Sequence, residues 1–190
     1  MSKTCVGYAM CGSFCTFSKA IREMKNLINM GYDVLPIMSE TASSTDTRFG
    51  KAKDFIEEIE NMTEKKIVNS INMAEPIGPK KMCDVLVVSP CTGNTLGKIS
   101  WGITDTAVTM AVKSHLRILR PVVLCVATND ALSASAQNIG RLLNTKNVYF
   151  VPFSQDDPIN KPNSLVAHFD LIPESVEYAL KGQQIQPVIR

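Results

Sequence analysis

The sequence predicts an α/β protein with a three-layer Rossmann-like or flavodoxin-like fold around a parallel sheet of about five to six strands. Three observations predict it. The runs at 84–89 and 121–127 are continuously apolar rather than alternating, as expected of strands with both faces covered. Around them lie segments whose apolar residues recur at steps of three and four, the mark of one buried helix face. Strand and helix alternate along most of the chain, and such alternation builds right-handed parallel sheets.

In chain order, residues 3–10 form a mostly apolar strand ending in Cys11-Gly12-Ser13. Phe14, Phe17, Ile21, Met24, Leu27 and Ile28 mark a helix face, and Gly31 closes that helix. Residues 33–38 are the second strand, which Pro36 places at an edge or a bulge. Residues 39–50, rich in Ser and Thr, read as a loop. Phe55, Ile56, Ile59 and Met62 predict a helix with Glu57, Glu58 and Glu60 on its wet side. Residues 65–81 contain Pro76, Gly78 and Pro79 and read as an irregular connection after a short strand at 67–68. The strand at 84–89 leads through Ser89-Pro90-Cys91-Thr92-Gly93-Asn94-Thr95 into a helix ending near residue 100. Asp105 is suited to cap the next helix, which buries Val108, Ala111, Val112, Leu116 and Leu119. The strand at 121–127 and the turn Thr128-Asn129-Asp130 precede a helix around 133–143 and a last strand at 147–151. Beyond Pro152 the chain is rich in Pro and Asn, helical only at 172–180, with Pro173 in the first position. One domain over 1–190 is expected, with 152–190 as its extended C-terminal segment.

Composition narrows the function. With 190 residues, 45% of them apolar and 20% charged, the chain can fold without disulfide or metal staples. Lys and Arg number 20 against 18 acidic residues, a balance of +2 that excludes a strongly basic nucleic-acid binder. No apolar run reaches the roughly 18 residues of a membrane span, and the N-terminal residues carry no signal-peptide pattern, so no membrane role and a cytoplasmic location are expected. Cys5, Cys83 and Cys125 read as small buried residues. Cys11 and Cys15 lack companion ligands nearby, and no metal site is expected.

Ligands of such sheets bind outside the carboxyl ends of the strands. The loops at 11–15, 39–50, 89–98 and 128–134 are therefore expected to share one face. Gly12 and Ser13 open a helix and suit an anion, or Ser13 simply caps the helix. Ser39 and its neighbouring hydroxyls, with Arg48, suit phosphate or carboxylate, or form a solvated loop. In the third loop Asn94 can both donate and accept, and Thr92 and Thr95 add hydroxyls at a helix start.

Ser89-Pro90, Thr92, Asn94-Thr95 and Lys98, followed by Gly102-Ile103 and Asp105, resemble the central motif of the homo-oligomeric flavin-containing Cys decarboxylases, a family that also contains flavin prenyltransferases. The resemblance implies a Rossmann-like sheet and FMN held between subunits of a trimer or a multiple of it. Two departures stand out. No histidine precedes Ser89, since the only two are His115 and His168, and the family's Pro-Ala-Met-Asn stretch reads Val126-Ala127-Thr128-Asn129. Both speak against decarboxylation of a peptidyl cysteine. The segments 7–17 and 127–140, with the Ser39-Glu40-Thr41 turn, are similar to the branch that holds the B subunits of dipicolinate synthase. That branch implies oxidation of a dihydrodipicolinate in the mother cell of a sporulating bacterium, with NAD(P) brought by an A subunit.

On this reading the cofactor-binding residues are Gly12, Ser13, Ser39, Ser89, Pro90, Thr92, Asn94, Thr95, Thr128 and Asn129. Arg48 and Lys98 bind the small dicarboxylate substrate, and Asn94 and Asp130 are the catalytic candidates. Flavin is either kept or lost. A stand-alone FMN enzyme of the decarboxylase or prenyltransferase type, and a non-catalytic binding subunit, are the rival readings. His115 and His168 read as surface or interface residues, and Trp101 as interface packing or a flavin stack.

Overall fold

The computed structural model describes residues 3–190; Met1 and Ser2, the start of the expected domain, lie outside the described residues. Strand β1 (Cys5–Met10) is followed by a 3-10 turn (Phe14–Thr16) and helix α1 (Phe17–Asn29). Next come β2 (Asp33–Met38), α2 (Glu40–Ser44), α3 (Ala52–Thr63), α4 (Ile71–Ala74) and a 3-10 turn (Glu75–Ile77). The centre is β3 (Val85–Cys91), α5 (Gly93–Trp101), α6 (Ala107–Leu116) and β4 (Val122–Thr128). The chain ends with α7 (Ala136–Leu143), β5 (Val148–Phe150), β6 (Phe153–Ser154), β7 (Leu165–Ala167) and α8 (Ile172–Leu180).

Among the described residues the sheet has seven strands. Five are parallel in the order β2-β1-β3-β4-β5, the doubly wound order of flavodoxin-like folds. The wholly parallel sheet expected from sequence is extended by β7, which runs antiparallel along the last residues of β4, and by β6, which pairs antiparallel with β7. Every residue of β3 is buried, as its unbroken apolar run requires. Helices flank the sheet in two groups, α1 against α8, and α4, α5 and α6 joined by α7.

Pro36 sits on the edge strand, and its carbonyl faces the outside, where it accepts from Val68 N–H at 3.0 Å. The missing proline N–H therefore costs no ladder bond to β1. Four other expectations change. The supposed loop at 39–50 contains α2, and the irregular stretch at 65–81 contains α4. Thr106, rather than Asp105, caps α6 by accepting from Thr109 N–H at 3.2 Å in a capping box. Leu119 lies beyond the end of α6, at φ 61° and 70% exposed, because the helix stops at Leu116.

His115 is buried rather than superficial, with its Nδ1 3.7 Å from Cys83 Sγ. Burial first, and then the Arg120 cation, push its pKa down from 6.5 to about 4. The unfolded chain then binds a proton that the folded chain refuses. Stability from this neutral histidine is complete above about pH 6.5 and is lost as pH falls toward 4. The loss is on the order of 3 kcal/mol at pH 4. Urea unfolding at pH 7 and pH 4.5 should show this slope in the parent, and His115→Leu should flatten it.

Candidate functional site

The carboxyl ends of β1 and β3 lie side by side, and their following helices leave in different directions around the switch point of the sheet. Two adjoining cavities open there, of about 520 Å³ and about 270 Å³, and Gly12 and Thr92 line both.

The smaller cavity is polar and built mainly from short side chains. Cys11, Ser39, Thr41, Asn94, Thr95, Lys98 and Thr106 complete it. Thr92 caps α5 by accepting from Thr95 N–H at 3.2 Å, which leaves the Gly93 and Asn94 N–H groups at the helix start without an intrahelical acceptor. Asn94 is exposed at this helix start. Ser39 caps α2 by accepting from Ala42 N–H at 3.2 Å. Lys98, the cation nearest this end, is already paired with Asp105 at 2.9 Å. Cys11 contributes a buried thiol that donates to the Pro90 carbonyl at 2.9 Å, and burial raises its pKa, so it remains a thiol at neutral pH.

The larger cavity brings together Ser13, Arg48, Thr128 and Asn129. Ser13 does not cap α1. A 3-10 turn intervenes, the Ser13 N–H is spent on the Cys11 carbonyl at 2.7 Å, and its hydroxyl accepts from Thr16 Oγ1 at 3.2 Å. The β4 turn is held close to α5 because position 93 is glycine. A Cβ there would meet Thr128 Oγ1 at 2.6 Å and Asp130 Oδ1 at 2.7 Å.

Three expected site residues point elsewhere. Ser89 is wholly buried beneath the site beside Tyr8 and Cys125, and Pro90 is buried in β3, so neither lines a cavity. Asp130 lines neither cavity. Its Oδ1 accepts from the hydroxyls of Thr128 and Ser135, which makes it a brace of the turn instead of a free proton acceptor. Trp101 lies outside both cavities, 63% exposed, under the Arg141 guanidinium at 4.2 Å.

Other lining residues gave no sequence signal. Lys19 comes from α1, Phe49 from the segment after α2, and Asp156 and Lys161 from the C-terminal segment. The Ser164 hydroxyl first, and then the Asp156 backbone N–H and Lys161, hold the Asp156 carboxyl below its usual range. His168 accompanies Lys19 and Asp156 in a neighbouring cavity of about 300 Å³, with its Nε2 3.0 Å from Ser154 Oγ.

Residues 1–173 match the family model described as Flavoprotein. The chain belongs to the flavoprotein family. This flavoprotein is 44% identical to the B subunit of dipicolinate synthase from Bacillus subtilis (strain 168), over 97% of the chain and 92% of that protein. The crystal structure of the dipicolinate synthase B subunit from Bacillus halodurans C matches it with a TM-score of 0.91 at 45% identity, covering 98% of this chain and 96% of that one. The flavoprotein fold is also shared with Burkholderia xenovorans DmrB in complex with FMN, at a TM-score of 0.71 and 16% identity, over 94% of this chain and 96% of that one.

Proposed function

We propose that this flavoprotein is the B subunit of a dipicolinate synthase, a single domain acting in the cytoplasm of the mother cell of a sporulating bacterium. With an NAD(P)-binding A subunit it takes part in oxidising a dihydrodipicolinate to dipicolinate. The observation that carries the reading is near full-length similarity to two dipicolinate synthase B subunits, at 44% and 45% identity.

The smaller cavity, of about 270 Å³, suits the polar ends of FMN rather than the whole molecule. Its donors are hydroxyls and the amide groups at the start of α5, a set that suits a phosphate and a polar ring edge. A Cβ on Gly12 would project into the cavity mouth, touching only Phe14 Cε2 at 3.6 Å, so glycine leaves the approach to the backbone open. Ser39, Thr41, Thr92 and Thr95 would hold the phosphate and its chain, and Asn94 the ring edge. Aromatisation removes a hydride equivalent and a proton, and bound flavin supplies a hydride acceptor that side chains lack. The protein's part is to orient the substrate beside Asn94 and to keep the Thr128-Asn129 turn against α5 through Gly93 and Asp130. Assembly as a trimer or a multiple of it belongs to the same proposal. It is supported by solved relatives of this fold described as cages and dodecamers and by the exposed Trp101 and Ile103.

Reconstitution with the A subunit of a dipicolinate synthase tests the reading. The mixture should form dipicolinate, the isolated A subunit should not reach that rate, and the freshly purified chain should carry or take up FMN. Asn94→Ala should reduce the rate by about tenfold or more while the two subunits still co-elute in gel filtration, because Asn94 is exposed and packs no core. Full synthesis by the isolated A subunit would refute the proposal.

A further inference from the structure

We infer that Lys19, Arg48 and Lys161 form the recognition site for the dicarboxylate, in the larger cavity and apart from the groups that hold flavin; this rests on the dipicolinate synthase reading. The three cations reach one cavity of about 520 Å³ from three separate parts of the chain: α1, the segment after α2, and the turn between β6 and β7. Among the described residues the only carboxylate lining it is Asp156. The balance leaves two positive charges, the number a dicarboxylate neutralises. Lys98, expected from sequence to share this task, lines the other cavity and is engaged by Asp105.

The cations are placed rather than scattered. Arg48 stacks its guanidinium on Phe49 at 4.9 Å, which orients the fork while leaving its N–H groups free to grip a carboxylate. Lys161 sits in a self-bonded turn: its N–H donates to the Asp157 carbonyl at 2.8 Å, and its carbonyl accepts from Ser164 N–H at 3.0 Å. That turn is tied to the end of the β4 turn by Leu132 N–H donating to the Asn163 carbonyl at 3.0 Å. Lys161 Nζ lies 3.4 Å from Asp156, a loose contact that a substrate carboxylate can replace. Among the described residues Lys19 and Arg48 have no carboxylate within ion-pair distance. Phe14 and Phe49 give apolar walls suited to a flat six-membered ring, and Thr128 and Asn129 give polar atoms at its rim.

A flavin phosphate is the other dianion that three cations could serve, and the test separates the two. Binding of dipicolinate, of picolinate with its single carboxylate, and of FMN is measured by calorimetry on the full chain and on Lys19→Met, Lys161→Met and Lys161→Arg. Synthesis with the A subunit is assayed in parallel. Each Met variant should weaken dipicolinate binding by about tenfold or more and leave FMN binding unchanged, as expected when a charge-assisted hydrogen bond to the dicarboxylate is removed. Lys161→Arg should retain most of the affinity, and picolinate should bind the parent more weakly than dipicolinate. Both lysines are at the surface, so thermal melting should match the parent. Unchanged dipicolinate binding in the Met variants, or no dipicolinate binding by the parent, overturns the assignment while synthesis by the parent still supports the dipicolinate synthase reading. Loss of FMN binding in place of dipicolinate binding also overturns it and gives the cations to the phosphate. Absence of synthesis by the parent with the A subunit removes the reading on which the assignment rests.

Discussion

Gly93→Ala should lower dipicolinate synthesis by about tenfold or more, through a displacement of the substrate-facing turn on the ångström scale. The cause is steric and local. A methyl group at 93 would lie 2.6 Å from Thr128 Oγ1, 2.7 Å from Asp130 Oδ1 and 3.0 Å from Ser135 Oγ. These oxygens cannot swing aside independently, because Asp130 accepts from both Thr128 and Ser135. The turn must back away from α5, carrying Thr128 and Asn129 out of the larger cavity. Overpacking of this kind also costs about 1–3 kcal/mol. Gly12→Ala is the contrasting variant. Its added methyl touches only Phe14 at 3.6 Å, so melting should be unchanged while FMN binding weakens. A steady-state assay with the A subunit, thermal melting and FMN titration read the three effects separately. Full activity in Gly93→Ala would show that the turn and α5 need not touch.

The largest effect on stability is expected at Gly78. Its backbone, at φ −71° and ψ −62°, is one that any residue adopts, so the requirement for glycine is purely one of space. A Cβ would stand 1.8 Å from the Ser114 carbonyl oxygen and 2.8 Å from its hydroxyl. Gly78 N–H donates to Ser114 Oγ at 2.8 Å, and that hydroxyl donates to the Glu75 carbonyl at 2.6 Å, which seats the turn after α4 directly on α6. Separating the two elements opens a packed face and breaks both bonds. Gly78→Ala should therefore lose about 3 kcal/mol or more, a large part of the 5–15 kcal/mol typical of a domain. Urea unfolding checks this by a lower midpoint. Ser114→Ala in the same chain should not restore stability, because the clash is with the main-chain oxygen.

Much of the fold was legible because burial in this architecture is written locally. The unbroken apolar runs marked β3 and β4, and steps of three and four marked α1, α3 and α6. Pro36 marked an edge because a missing N–H is tolerated only where no strand needs it. The short elements were not legible. Strands β6 and β7 have two and three residues, too few to carry a period; β7 forms on backbone groups at the far end of β4, and β6 forms in turn on β7. Helix α2 hid among Ser and Thr residues that favour caps and loops equally, and Ser39 turned out to be the cap.

The site divides along the same line. By itself the sequence determined which strand ends face one crevice, and so brought Gly12, Ser39, Thr92, Asn94, Thr95, Arg48 and Asn129 to its two cavities. That follows from strand order and the direction of a parallel sheet, which alternation of elements encodes. Only the tertiary structure decided which neighbours of these residues turn away. Ser89 and Pro90 belong to the buried strand, Asp130 is consumed by the hydroxyls around it, and Lys98 is neutralised by Asp105. Only the tertiary structure supplied Lys19 and Lys161, which lie more than a hundred residues apart in the chain and meet at one cavity. A charged side chain on an exposed helix face or turn leaves no trace in periodicity, since water accepts it anywhere along the surface. What gives it a role is the second charge that packing of the fold sets beside it.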